Sequence, residues 1–202
     1  MDYSCIPARL VKHLDTTVYP VCRRAKSILL LNYYQGIFDI QNDSKNLYNS
    51  SKILNEIRLL RTQFHHCYTY LFTCSRLSKE NYDKLMGKFQ TREHLYQSIH
   101  SYSIDDLLSL EKISTMLINA LSQAKKHIHQ CAICCQKGFI CEICKNRQEI
   151  LYPFDDSKTI GECSKCSNLY HRRCWIKIDE DCPKCYRIVQ RRVERNKVND
   201  EQ

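Results

Sequence analysis

The chain has 202 residues, a formal net charge of +9 with histidine neutral, 43% hydrophobic and 26% charged residues, and fourteen cysteines. That length allows one large domain or two small ones, and the apolar content is enough for a core. The sequence excludes a bilayer-spanning segment, because the longest apolar run, SILLLNYY, is under half the required length, and the N-terminus MDYSCIPARLVKH lacks a basic-then-apolar signal pattern.

The first 126 residues read as a helical bundle. Cys22 to Tyr34, CRRAKSILLLNYY, crowds its apolar residues toward one end and one side. Leu47, Ile53, Leu54, Ile57, Leu60 and Phe64 recur at near-helical intervals, and the pattern runs on through Tyr68, Leu71 and Phe72. Ser103 to Asp106, SIDD, has the form of a capping box. Leu107, Leu108, Leu110, Ile113, Leu117 and Leu121 follow it as another apolar stripe. Each stripe is expected to face the core. Glycine is scarce, and Gly138 and Gly161 fall in the cysteine-rich segment, where turns are expected.

The composition changes near residue 127. Cys5, Cys22, Cys67 and Cys74 are scattered, and the other ten cysteines lie between Cys131 and Cys185. The expected setting is intracellular, where stable disulfides are uncommon. The cysteines instead form pairs with two-residue gaps: Cys131/Cys134, Cys141/Cys144, Cys163/Cys166 and Cys182/Cys185, with His171/Cys174 as a related pair. Cys135 stands outside this pairing. A tight turn across such a gap points both side chains at one tetrahedral ion, and zinc prefers thiolate and imidazole. One such pair can be a redox site, but five in succession argue for structural zinc. The expected divisions are therefore a helical part at 1–126, a zinc module at 127–186 and a basic tail at 187–202.

Ligand order bears on the wiring. The last four pairs are separated by eighteen, four and seven residues. That order fits a cross-brace, first pair with third and second with fourth, as in PHD and FYVE fingers. One zinc would then sit on Cys141, Cys144, His171 and Cys174, and another on Cys163, Cys166, Cys182 and Cys185. Two sequential ribbons would use the same residues with different partners. Cys131 and Cys134 need two further ligands for a third ion. His127 lies one helical turn before Cys131, and His129 is less well phased. On the residues alone, His127 reads equally as a ligand or as a surface histidine at a helix end. Cys74, Cys67, His66 and His100 are the candidates for the fourth position.

An ordered set of phrases carries a family resemblance. CQKGFICEIC at 135–144, ILYPFD at 150–155, CSKCSNLYHRRC at 163–174 and CPKC at 182–185 resemble the Rubicon homology domain. So do IPARL, YPVCRRAKSILL, GIFD, LRTQF with YLFTC, REHLY and HSYSIDDL in the helical part. The domain closes Rubicon, Pacer and the pleckstrin-homology M-family adaptors. The resemblance implies that His127 is a ligand, and that two to three zinc ions are held. It implies a non-enzymatic adaptor that binds the active form of a late-endosomal Rab GTPase. Its setting would be the cytoplasmic face of late endosomes, lysosomes or autophagosomes, in vesicle trafficking and autophagosome maturation.

The residues themselves offer little for catalysis. Each cross-brace site has four protein ligands, which leaves no open position. GxxxxGK[ST] and GxSxG are absent from the sequence. His65 and His66 adjoin Cys67, but helical neighbours point about 100° apart, a poor arrangement for a nucleophile and its base. Metal-bound thiolates bring the net charge down to roughly +5 to +6, too mild for a specific nucleic-acid binder. The basic tail, Arg187, Arg191, Arg192, Arg195 and Lys197, reads as a solvated face or as a contact for phosphoinositide headgroups, with Arg172 and Arg173 adding to it. A RING-like ligase or PHD-like peptide reader shares the wiring. A RING usually has Cys-x-His as its second pair, and Trp175 is better placed for packing than for a methyl-lysine cage.

Overall fold

The computed structural model describes residues 2–44, 46–179 and 181–200, with side chains followed through residue 195. Met1, Glu201, Gln202 and the side chain of Lys197, which fall within the expected outer divisions, lie outside the described residues. The fold is mainly α, a helical bundle followed by a small cysteine-rich cross-brace module. The chain divides into two compact units, residues 1–131 and 132–202.

The first unit opens with an antiparallel pair, β1 (Asp2–Cys5) and β2 (Val18–Val21), in which Cys5 faces Val18. Between them lies α1 (Pro7–His13), which starts on a proline suited to the first helical turn. Leu14 ends it in the left-handed region, at φ 52°, and its N–H reaches back to the last carbonyls. α2 (Arg23–Leu31) follows, then β3 (Phe38–Asp39), α3 (Ile40–Asp43), α4 (Leu47–Ser50) and α5 (Lys52–Phe72). After these come α6 (Lys79–Met86), a 3-10 turn at Gly87–Phe89, α7 (His94–Gln97), β4 (Ser101–Tyr102), α8 (Ile104–Leu108) and α9 (Leu110–Gln130). β4 pairs antiparallel with β3, Tyr102 facing Phe38.

The two 21-residue helices α5 and α9 make the core. Leu54, Ile57, Phe64 and Leu71 are buried on one, and Ile113, Leu117, Leu121, Ala124 and Ile128 on the other. Full burial of each leucine, isoleucine or phenylalanine among them contributes about 1.5–3 kcal/mol. Ser51 caps α5, its hydroxyl accepting from the Leu54 N–H. The capping box forms at α8: Ser103 Oγ accepts from Asp106 N–H, and Asp106 Oδ2 accepts from Ser103 N–H. The stripe after it is broken at Ser109, so Leu107 belongs to α8 and Ile113, Leu117 and Leu121 to α9.

Two expectations about the core need correction. The apolar residues of α2 do not form core: the helix buries none of its side chains, and Leu31 is 76% exposed. The helix begins RRAK, and those charges hold much of its surface in water. On α5 the buried phase runs Leu54, Ile57, Arg61, Phe64, not through Leu60, and Phe72 at the end is exposed. Arg61 therefore stands in the core as a charge. Its Nε donates to Leu95 O at 3.2 Å, and Nη2 donates to His94 O at 2.7 Å, Ser101 O at 2.7 Å and Ser98 O. Its guanidinium carbon lies 4.3 Å from the Tyr102 ring centroid. A planar fork can satisfy several carbonyls at once, so this side chain fixes the whole connection from α7 to β4.

Beside that connection lies a second polar lock. Asp106, 0% exposed, accepts from Ser103 N–H and pairs with Arg92 and with His94 Nε2. Burial alone would raise its carboxyl. The His94 side chain and the Ser103 backbone outweigh that and hold it below the ordinary carboxylate value.

The second unit has little regular structure: α10 (Ala132–Cys135), the hairpin β5 (Phe139–Ile140) with β6 (Ile150–Leu151), the hairpin β7 (Ile160–Glu162) with β8 (Leu169–His171), α11 (Arg172–Lys177) and α12 (Pro183–Asp200). Its core is small. Trp175, 4% exposed, stacks on Tyr170 at 4.9 Å between centroids, and Leu151, Ile160 and Leu169 complete it with ligand cysteines. Gly161 sits inside β7 rather than at a turn, and its lack of a side chain makes room for Trp175. Gly138 likewise lies against Ile150.

Candidate metal centres and family

Two tight turns of the same form build the second unit's ligand sets. After Cys141 and Cys144, Lys145 takes φ 57° and donates its N–H to Cys141 O at 2.8 Å. After Cys163 and Cys166, Ser167 takes φ 52° and donates to Cys163 O at 2.8 Å. A left-handed residue without glycine costs roughly 1–2 kcal/mol. In both turns it closes the loop that turns the two thiols together.

β8 returns from the second turn and ends on His171, which also opens α11, so His171 and Cys174 arrive beside Cys141 and Cys144. The start of α12 brings Cys182 and Cys185 to Cys163 and Cys166. In each group the four ligand atoms lie within 4.8 Å of one another. Cys144 Sγ is 3.3 Å and Cys174 Sγ 4.0 Å from His171 Nδ1. Cys163 and Cys185 Sγ atoms are 3.7 Å apart, and those of Cys166 and Cys182 are 3.6 Å apart. Ligands around a tetrahedral ion, at about 2.3 Å for sulfur and about 2.0 Å for nitrogen, stand about 3.5–3.8 Å apart. A disulfide would need sulfurs at about 2.05 Å. First pair joins third and second joins fourth, so the wiring is a cross-brace and not two sequential ribbons.

A third group forms around Cys74, His127 and Cys131, joined by Cys134 three residues along the chain. Cys74 follows the end of α5, and His127 and Cys131 stand one turn apart at the end of α9. Cys74 Sγ lies 3.4 Å from His127 Nε2 and 3.6 Å from Cys131 Sγ. Burial lowers the His127 pKa and so favours the neutral imidazole that a metal requires. Of the four residues considered for the last position, the structure brings Cys74. His100 instead lies with its Nδ1 3.1 Å from the Tyr48 hydroxyl. His65 Nδ1 is 2.8 Å from Tyr96 O, which takes it out of any pairing with Cys67.

Electrostatics divide the thiols within the cross-brace groups. Burial pushes the Cys141 thiol up, but the N–H groups of Cys144, His171 and Ile143 together outweigh it and bring it to about 7. Burial also opposes ionisation of Cys182, and the Tyr170 hydroxyl and Cys185 N–H bring it to about 6. Cys174 is pushed up to about 11 by burial and then by the charge of Cys141. One thiolate per group thus forms readily and discourages the next, a conflict that a dication resolves. Behind His171, a Glu149 carboxylate oxygen stands 2.9 Å from Nε2, off the line of a hydrogen bond. All three groups have the donors and spacing to hold a metal ion, with four protein ligands each.

The Rubicon Homology Domain family model matches residues 1–190. The chain is 38% identical over 188 residues to pleckstrin homology domain-containing family M member 3 of Homo sapiens, covering 92% of this chain and 24% of that protein. It is 33% identical over 192 residues to the Run domain Beclin-1-interacting and cysteine-rich domain-containing protein of Mus musculus, covering 93% of this chain and 19% of that one. Protein associated with UVRAG as autophagy enhancer, of Homo sapiens, is 31% identical over 193 residues, with 94% and 28% covered. The chain thus spans 19% to 28% of the length of these relatives. A family model covering the helical unit and all three cysteine groups leaves one conclusion: the chain belongs to the Rubicon homology domain family.

Proposed function

We propose that this chain is a non-enzymatic adaptor that binds the active form of a late-endosomal Rab GTPase and acts in endosome–lysosome trafficking and autophagosome maturation. The observation that carries the reading is the uncovered apolar side of the helical unit. Ile28 and Leu31 of α2, and Tyr34 and Ile37 just after it, are each more than half exposed, and α2 itself has no buried side chain. Large apolar side chains left in water close together along one segment are what an interaction site offers. Family membership supports the adaptor class, and one relative's name describes an autophagy enhancer. In this reading the three cysteine groups hold structural zinc, with Cys74 completing the site of His127, Cys131 and Cys134. Four protein ligands leave a zinc no position for water or substrate, which suits a scaffold. Among the described residues no helix is long and apolar enough to cross a membrane, which accords with peripheral association.

The test is calorimetric. Zinc-replete protein is titrated with the late-endosomal Rab loaded with a GTP analogue or with GDP. Binding of the GTP form alone, weakened at least tenfold by Leu31→Asp, is expected. Equal binding of both forms, or none from a folded sample, overturns the assignment. Leu31 is exposed, so its substitution leaves folding intact. Elemental analysis of the same sample should return three zinc ions per chain, one for each group.

A further inference from the structure

α12 arranges its side chains in two stripes. Lys184, Arg187, Arg191 and Arg195 are spaced three and four residues apart and share one face. Tyr186, Val189 and Val193 follow the same spacing on another face and are 66%, 55% and 45% exposed. From Pro183 to Arg195 there are five basic residues and one acidic, Glu194. Arg187 also donates to Glu142 at 2.7 Å, which ties the root of the helix to the first turn of ligands. Beyond that root every side chain through Arg195 is exposed. An apolar stripe left in water beside a basic one is the arrangement of a helix that lies in a membrane interface. A polyanion such as nucleic acid would use the basic stripe and leave the apolar one uncovered.

We propose that α12 docks on an anionic bilayer surface. Tyr186, Val189 and Val193 enter the acyl boundary, and Arg191, Arg192 and Arg195 meet the lipid phosphates. The proposed complementarity is one of charge and apolar depth rather than of a fitted headgroup. This surface belongs to the second unit and the exposed apolar residues of the proposed function to the first, and neither assignment depends on the other.

The experiment is flotation of the full, zinc-replete chain with vesicles. One set is pure phosphatidylcholine, a second carries 30% phosphatidylserine, and a third carries a phosphoinositide at equal surface charge. Flotation with both anionic sets and not with the neutral one is expected. Each basic residue near the surface is worth roughly fivefold, so the triple variant Arg191→Gln, Arg192→Gln, Arg195→Gln should lose roughly a hundredfold. Val189→Ser with Val193→Ser should lose roughly tenfold. These residues are exposed, and far-UV circular dichroism with zinc content checks that the variants fold. Equal flotation with neutral vesicles, an unchanged triple variant or no flotation overturns the proposal. So does duplex DNA binding in place of vesicle binding. A tenfold preference for the phosphoinositide at equal charge would replace a surface contact with a headgroup pocket, and would overturn it as well.

Discussion

The two units solve the problem of stability with different chemistry. The first unit packs two 21-residue helices and buries their apolar faces, then locks its connections with Arg61 and Asp106. The second has strands of two or three residues and a core centred on Tyr170 and Trp175, with cysteines for much of its lining. Small cores rarely stabilise a domain alone, and metal then supplies what burial does not. In the first unit, a lost contact weakens a core that has many others. In the second, on the proposed zinc reading, a lost ligand removes the organising centre.

The largest expected effect follows from that contrast. On the proposed zinc reading, Cys163→Ser removes one ligand from a four-ligand group, and binding of a structural zinc is worth on the order of 10 kcal/mol. The sole tryptophan, Trp175, lies in the adjoining core and reports on it alone. Its fluorescence should shift red, while the far-UV helical signal of α5 and α9 persists. Unchanged tryptophan emission in the variant would break the comparison.

Next in size is Arg61. Replacing it by methionine leaves the carbonyls of His94, Leu95, Ser98 and Ser101 without their donor inside a closed core. A buried acceptor left without its donor costs about 1–3 kcal/mol, and several are left here at once. Lysine keeps the charge but not the fork, so Arg61→Lys should recover less than half of the loss. Thermal unfolding followed by circular dichroism measures both, with Trp175 emission as the control. A melting temperature within one degree of the parent would show that Arg61 is dispensable.

A smaller and matched pair sharpens the contrast. A Cβ at Gly161 would lie 2.5 Å from the Trp175 ring, and one at Gly36 would collide with the His94 ring. Overpacking of this kind costs about 1–3 kcal/mol. Gly161→Ala should increase the chelator sensitivity of the tryptophan signal. Gly36→Ala should lower the helical melt and leave chelator sensitivity alone. A swapped pattern would break the assignment of Gly36 to the helical core and of Gly161 to the cysteine-rich one.

Much of this was legible in the residues. Ligand spacing of eighteen, four and seven fits the cross-brace order and leaves two sequential ribbons open, because either pairing is within reach of the chain; the fold decides between them. The capping box was readable outright, since it spans one turn. Cys74 was one of four candidates, because nothing local tells which residue follows a helix end that another helix end will approach. The exposure of α2 was missed because periodicity reports an apolar side and not what covers it. Arg61 did leave a trace: it falls three and four residues from Phe64 and Ile57, in the buried phase of α5, where an arginine is out of place. Its carbonyl partners lie more than thirty residues away in sequence, so no local pattern could name them.

The smallest expected effect is one of pH, and it belongs to the helical unit. Asp106 in the folded chain is held below its ordinary value of 3.8 by His94 and Ser103, against burial. A lowered folded pKa means that the contribution is complete above the unfolded value and is lost as pH falls through the folded one. Between pH 7 and about pH 5 the residue is ionised in both states and adds no slope. Below about pH 4 the unfolded chain takes up its proton first, and stability falls by at most about 1.4 kcal/mol per pH unit for this one group. Asp106→Asn removes that term. Metal release in acid affects parent and variant alike, so the difference between their denaturation curves isolates the carboxylate. Stability of the variant should be lower at pH 7, with the gap narrowing only below about pH 4. A gap that is constant down to pH 2 would show that the His94 and Ser103 contacts do not favour the ionised form, and the polar lock would then be a matter of shape alone.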